Sequence, residues 1–147
     1  MQRPDFSAVP GSLARTVEVV GASWSPLILN EIWAGTSRFD DLQRNLGISR
    51  KVLTARLKTL VDYDVVDRRP YDNRPRYEYL LTEKGTELVD LLLVMTAWGD
   101  RWHGTNIPPQ VSYRHRSCGQ VGRAELRCTS CGGPMHGAVD VVHGGSD

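Results

Sequence analysis

All three cysteines of this 147-residue chain fall in one short stretch near its C-terminus. They stand as a His115-x2-Cys118 arm and a Cys128-x2-Cys131 arm, with nine residues between the arms. Three thiolates and one imidazole satisfy a closed tetrahedral zinc site, and a closed site has no open position for water, so its role would be structural. Gly119 and Gly132, one after each arm, permit the tight turn that lets backbone amides approach the sulfurs. An odd cysteine count argues against a disulfide framework and leaves three readings: a zinc centre, which we favour, a redox-active Cys128/Cys131 pair, or a disordered tail. His136 is the rival fourth ligand. His115 is preferred because its two-residue gap matches the partner arm, whereas His136 would crowd onto the arm of Cys131. His103 and His143 have no companions and read as surface residues.

A second chemistry lies upstream. Between positions 44 and 76 there are nine Lys and Arg against four Asp, a local net of +5 in a chain of net +1. The positive charge is thus gathered in less than a quarter of an otherwise acidic chain, where a phosphate backbone would need it.

The elements that must present this charge can be read from residues 37–85. Phe39, Leu42 and Leu46 recur at helical spacing, and Ser37 with Asp40 fits a capping box. Gly47 ends that helix, and after Ile48, Ser49 can cap a second one whose Leu53, Leu57 and Leu60 form an apolar stripe. Two helices joined so tightly make a helix-turn-helix. With that stripe facing the core, Lys51, Ala55 and Lys58 fall on the far side, flanked by Arg50 and Thr54. Arg50, Lys51 and Thr54, on the leading turns, are expected to read base edges, while Ser49 caps and Lys58 and Arg44 touch phosphates. Arg56, at the edge of the core face, is expected either at the DNA or paired with Asp62 or Asp64.

Two β-prone runs follow, 64–69 and 76–82, around the turn-forming Pro70-Tyr71-Asp72-Asn73-Arg74-Pro75. They predict a hairpin wing with Arg74 at its tip and Arg76 beside it, both anchored on DNA. Upstream, Ser25-Pro26 reads as N-cap and first turn of a helix ending near Trp33, with Gly35 beyond it and Leu27, Ile28 and Ile32 in the core.

Residues 82–103 form a long helix that is apolar around most of its circumference. Leu88, Leu91, Leu92, Met95, Trp98 and Trp102 make one stripe, and Val89, Leu93, Val94 and Ala97 extend it. One small core cannot cover all of this, so burial against a second copy is expected, with Leu13, Val17 and Val20 of the first helix as the matching surface. The four tryptophans read as packing residues.

These residues resemble a known family. Ala14-Arg15-Thr16-Val17-Glu18-Val19-Val20-Gly21, Trp24, Leu27-Ile28-Leu29, Arg38-Phe39-Asp40-Asp41-Leu42, the run from Gly47-Ile48-Ser49 to Arg56-Leu57, Tyr77-Glu78-Tyr79-Leu80-Leu81-Thr82-Glu83-Lys84-Gly85 and Trp98-Gly99 are similar, in order, to the HxlR-type winged helix-turn-helix regulators, relatives of the MarR group. The resemblance spans residues 12–102. It implies a homodimeric, bacterial-type, cytoplasmic transcription regulator on a short palindromic operator. Cysteine-bearing tails occur in some members. Many members carry a cysteine where this chain has Ser12, and in some that thiol senses oxidants or electrophiles; a hydroxyl cannot perform thiolate chemistry at neutral pH, so sensing by that route is excluded here.

At 40% hydrophobic and 24% charged residues the chain suits one compact domain plus an appendage. The expected organisation is mainly α with a small β-hairpin wing over 12–103, a linker over 104–112, a zinc-ribbon-like tail over 113–137 and a disordered end over 138–147. No signal-peptide pattern opens the chain and no apolar run is long enough for a bilayer, which places it in the cytoplasm with no membrane partner. A Gly-rich phosphate loop, a nucleophile elbow and paired carboxylates beside a His are all missing from the sequence, which argues against an enzyme. The expected partners are double-stranded DNA and a second copy; the operator, the regulated genes and any small-molecule effector are not encoded legibly. The expected function is a sequence-specific regulator, a repressor by preference. The alternatives are a zinc-tailed protein-interaction scaffold that has lost specific DNA binding, and a metal-linked redox sensor.

Overall fold

Leu53, Leu57 and Leu60 are almost wholly inaccessible to solvent, and the rest of the N-terminal unit is built around that stripe. The computed structural model describes residues 6, 8–72, 76–103 and 112–142. The order is α1 (Ser12–Val20), α2 (Ser25–Trp33), α3 (Phe39–Leu46), α4 (Arg50–Asp62), β1 (Val66–Pro70), β2 (Tyr77–Leu81), α5 (Glu83–His103), β3 (Tyr113–Arg114) and β4 (Val121–Gly122). The chain divides into two compact units, Met1–Leu92 and Leu93–Asp147.

In the first unit, Ile28, Leu29 and Ile32 of α2, Leu42 of α3 and Val65 and Val66 at the start of the hairpin close over the α4 stripe. Buried aliphatic side chains of this size contribute about 1.5–3 kcal/mol each, which makes this the stabilising centre of the unit. The β1–β2 ladder is antiparallel, running from Val66 opposite Leu81 to Pro70 opposite Tyr77. Pro70 lacks an N–H and is tolerated because it ends its strand. Residues 37–38 add a short third edge, with the Tyr79 N–H donating to Ser37 O at 2.7 Å and Arg38 bridging Glu78.

That edge changes one expectation. Ser37 is strand-paired rather than capping; Arg38, in an extended conformation, is the N-cap of α3 and makes no side-chain cap bond. Asp40 and Asp41 remain in the first turn, where carboxylates favour the helix dipole. The start of α2 also shifts by a residue: Trp24, in the left-handed region at φ 77°, is the N-cap, and Ser25 is the buried first helical residue. Leu27, expected in the core, is 53% exposed, because α2 turns Ile28, Leu29 and Ile32 inward instead.

The junction between α4, the wing and α5 is tied by hydrogen bonds. Asp64, at φ 57°, turns the chain, and the Val65 N–H donates back to Leu60 O at 2.9 Å. The Thr82 hydroxyl donates to Asp64 O at 2.8 Å and accepts from the Gly85 N–H at 3.0 Å, capping α5. Lys84 Nζ donates to Tyr63 O at 2.6 Å. The hairpin is therefore held at a fixed angle to α4. The second unit carries two short turns in residues 112–142, of which none is buried. Among the described residues no helix is long and apolar enough to cross a membrane.

Candidate nucleic-acid interface

Gly47 ends α3 in the left-handed region, φ 65°, a conformation that glycine adopts without a Cβ penalty. Ile48, 6% exposed, pins the turn to the core. Ser49 Oγ then accepts from the Val52 N–H at 3.3 Å and caps α4 as the sequence indicates. With both ends of the turn fixed, α4 buries Leu53, Leu57 and Leu60 and leaves Arg50, Lys51, Thr54, Ala55 and Lys58 exposed on the opposite side.

Several of these cations are already engaged. The Arg50 guanidinium lies 4.7 Å from the centre of the Phe39 ring and 3.5 Å from the Asp40 carboxylate. Lys58 pairs with Asp62 at 2.6 Å, one helical turn on. Arg44 pairs with Asp41. All are exposed ion pairs, worth at most about 1 kcal/mol and easily exchanged for phosphate. Arg56 differs from the expected pairing: its Nε is buried without a hydrogen-bond partner among the described residues, and Lys58 holds Asp62 in its place. The reason is rotational, since position 56 stands one turn from both Leu53 and Leu60 on the buried side, while 58 and 62 share the exposed one.

The wing extends this surface with arginines laid on aromatic rings. Arg68 sits 3.5 Å from the Tyr77 ring centre and Arg38 4.8 Å from that of Tyr71. Together with Arg50 and Arg76 they line an open depression of about 520 Å³ between the start of α3 and the hairpin. The Arg76 carbonyl accepts from the Tyr71 N–H at 3.2 Å, closing the loop base. Arg74 lies outside the described residues. Sequence reasoning gives Arg38 no DNA role and counts Arg68 only within the basic stretch; the further signal available was the placing of Arg68 across the hairpin from Tyr77 and Tyr79. A guanidinium stacked on a ring can still offer its N–H edge to an anion.

A cationic helix face beside an arginine-lined hairpin is the arrangement of a winged DNA-binding unit, and the comparisons agree. Residues 19–107 match the model of the HxlR-like helix-turn-helix family. The chain belongs to that family. An uncharacterised HTH-type transcriptional regulator of Mycobacterium tuberculosis is 43% identical over 122 residues, covering 82% of this chain and 77% of that protein. The HTH-type transcriptional regulator YodB of Bacillus subtilis is 35% identical over 86 residues, 57% of this chain and 77% of YodB. Among solved structures, PA1607 superposes with a TM-score of 0.81 at 30% identity, covering 93% of this chain and 97% of that one. Quinone-bound YodB superposes with a TM-score of 0.56 at 30% identity over 64% of this chain and all of its own. This HxlR-type protein is accordingly a DNA-binding transcription regulator, mainly helical with a small antiparallel hairpin.

Leu13 is 76% exposed on α1, and Leu91, Met95, Trp98 and Trp102 are exposed along α5. Val17, Val20 and Leu88 are half-buried, the last two against the core, and Leu92 lies within the protomer's own core. In the tail the four metal-ligand candidates form two pairs. His115 Nδ1 is 3.3 Å from Cys118 Sγ. The backbone N–H groups of Cys131 and Ser130, then the Cys131 side chain, hydrogen-bond Cys128 and hold its thiol below the ordinary value. Among the described residues no three His, Cys, Asp or Glu side chains converge as a metal cage.

Proposed function

We propose that this regulator acts as a homodimer in the cytoplasm, placing two α4 helices about 34–36 Å apart in successive major grooves of a palindromic operator. The observation that carries the reading is the exposed cationic face of α4, capped by Ser49 and flanked by the arginine-lined wing. Arg50, Lys51 and Thr54 reach base edges; Lys58 and Arg44 hold phosphates; Arg38, Arg68 and Arg76 grip the backbone beside the wing. Dimerisation is supported by the solvent-exposed apolar residues Leu13 on α1 and Leu91, Met95, Trp98 and Trp102 on α5. Repression follows if the operator overlaps the promoter, since a dimer seated there blocks polymerase.

Quinone-bound YodB, and HypR, whose structure is described as that of a redox regulator, are relatives of the winged unit. In this chain Ser12 stands at the family's thiol position and every cysteine lies at or beyond position 118, so redox chemistry at Ser12 forms no part of the reading.

The test is binding of the purified full chain to its own upstream DNA and to a scrambled duplex, across a salt series. The expected result is a preference of at least about 10³-fold for the upstream DNA with a steep salt slope. Equal, weak affinity for both, together with a stable dimer, would replace it with the protein-interaction scaffold.

A further inference from the structure

The tail contains a duplication. Arg114-His115-Arg116-Ser117-Cys118-Gly119 and Arg127-Cys128-Thr129-Ser130-Cys131-Gly132 share Arg, Ser, Cys and Gly at four of six places, and at a fifth each has a metal-ligating side chain. The two segments also fold alike. In the first, the Gly119 N–H donates to His115 O at 2.8 Å and the His115 N–H to Gln120 O at 2.9 Å; in the second, the Gly132 N–H donates to Cys128 O at 2.8 Å and the Cys128 N–H to Gly133 O at 2.8 Å. Arg114 donates to Gly119 O at 2.9 Å and Arg127 to Gly132 O at 3.0 Å, five residues on in each case. Both glycines are left-handed, at φ 70° and 73°. Each turn ends a short antiparallel pairing, β3 with β4 and Arg127 with Pro134.

Two such turns, with two donors each, make half of a tetrahedral set apiece. We infer that they are the two half-sites of one zinc centre, ligated by His115, Cys118, Cys128 and Cys131, with Arg114 and Arg127 as positioning residues that lock the turns. Thiolate-rich tetrahedral sites select zinc among abundant divalent ions. Binding converts one zinc ion, three thiols and a neutral imidazole into a four-coordinate complex and releases three protons; no redox change is involved. Three thiolates on a dication leave the site at −1, and the guanidiniums of Arg114 and Arg127, fixed on the flanking turns, offset that charge.

The tail needs such a centre. No residue in 112–142 is buried, and Val121, Leu126, Met135 and Val139 are all well exposed, so no apolar core orders it. A segment of this size without a core requires a staple, and its cysteines are free. The ion supplies what the hydrogen-bonded turns lack, a link from one half-site to the other. His115 is the fourth ligand because its ring already meets Cys118 Sγ on a turn matched to its partner, whereas His136 lies beyond both repeats.

The experiment uses the full chain, purified reduced and without chelator, and is indifferent to whether an operator is bound. Native mass spectrometry is expected to show one zinc per chain. After chelation, cobalt(II) titration is expected to saturate at one equivalent with the visible bands of a tetrahedral thiolate site, and zinc to protect residues 112–142 from protease. Cys118→Ala and Cys128→Ala each abolish stoichiometric binding while α-helical circular dichroism is retained. His115→Ala weakens zinc at least tenfold, and His136→Ala leaves it unchanged. A wild-type chain that takes up no zinc or cobalt, takes up two ions, or loses its site on His136→Ala but keeps it on His115→Ala would overturn the assignment.

Discussion

The guanidinium of Arg50 stacks on Phe39, 4.7 Å from the ring centre, and reaches the carboxylate of Asp40 at 3.5 Å. The leading residue of α4 is thus held by the first turn of the helix before it. Both charged groups are exposed, so the pair is worth at most about 1 kcal/mol and gives way to a better acceptor. A bidentate Arg–guanine contact discriminates by about 1–3 kcal/mol. Arg50→Ala should therefore relax sequence preference at one base pair per half-site, with little change in melting temperature. Asp40→Asn should tighten binding to all duplexes, because it removes a negative charge that holds Arg50 and repels phosphates while leaving only a neutral amide oxygen in its place. Competition binding with single-base operator variants checks both; unaltered base preference in Arg50→Ala would remove this residue from the reading head.

Lys58 presents the opposite case. Its partner Asp62 lies one turn further along the exposed face at 2.6 Å, and in the proposed docking the base edges are met by the leading turns of α4. Lys58→Ala should weaken specific and random DNA alike and lower the slope of log affinity against log salt by about one. The folded state should lose less than about 0.5 kcal/mol, the usual worth of an exposed i,i+4 pair. A sequence-dependent loss would show instead that this lysine reads a base.

Gly85 is a stability prediction independent of DNA. A Cβ at that position would lie 2.1 Å from Val65 O and 3.3 Å from a Leu81 methyl, and Val65 O is itself an acceptor for Thr82. The obstacle is backbone that sets the angle between α5 and the wing, so it cannot swing aside as a side chain would. Gly85→Ala should cost at least the roughly 1–3 kcal/mol typical of overpacking. Gly47→Ala, where no atom lies within 4 Å but φ is +65°, should cost only the left-handed penalty of about 1–2 kcal/mol. Thermal unfolding of the two variants should rank them in that order.

What was legible in the sequence depended on the range of the interaction. The α4 stripe and the Ser49 cap are set by residues within a few positions of one another, so periodicity and capping rules find them. Ser37 was misjudged because its carbonyl is claimed by Tyr79, forty-two positions later, and no local pattern records that pairing. Leu27 was misplaced because α2 is apolar on several sides, leaving no polar face to orient it. Arg38 and Arg68 join Arg50 and Arg76 around one depression only once β2 lies beside residues 37–38. In the tail the His/Cys spacing was plain, while the matched placement of Arg114 and Arg127 became visible only through their bonds to Gly119 and Gly132.

The proposed dimer yields the last prediction, and α5 separates two kinds of leucine. Leu92, 6% exposed, belongs to the protomer's core, whereas Leu91, Met95, Trp98 and Trp102 are 36%, 46%, 59% and 60% exposed. Their spacing of four, three and four residues draws a single seam along the helix, the pattern that packs against another helix. Trp98→Glu places a charge in that seam and should dissociate the dimer at micromolar concentration, detected by sedimentation, while the isolated winged unit keeps its fold. Operator affinity should fall toward that of one half-site, because the second α4 no longer arrives with the first. Leu92→Ala should instead lower thermal stability by about 2–5 kcal/mol through a core cavity. A Trp98→Glu protein that sediments as a dimer would move the interface away from α5 and require α1, with Leu13 at 76% exposure, to carry it alone.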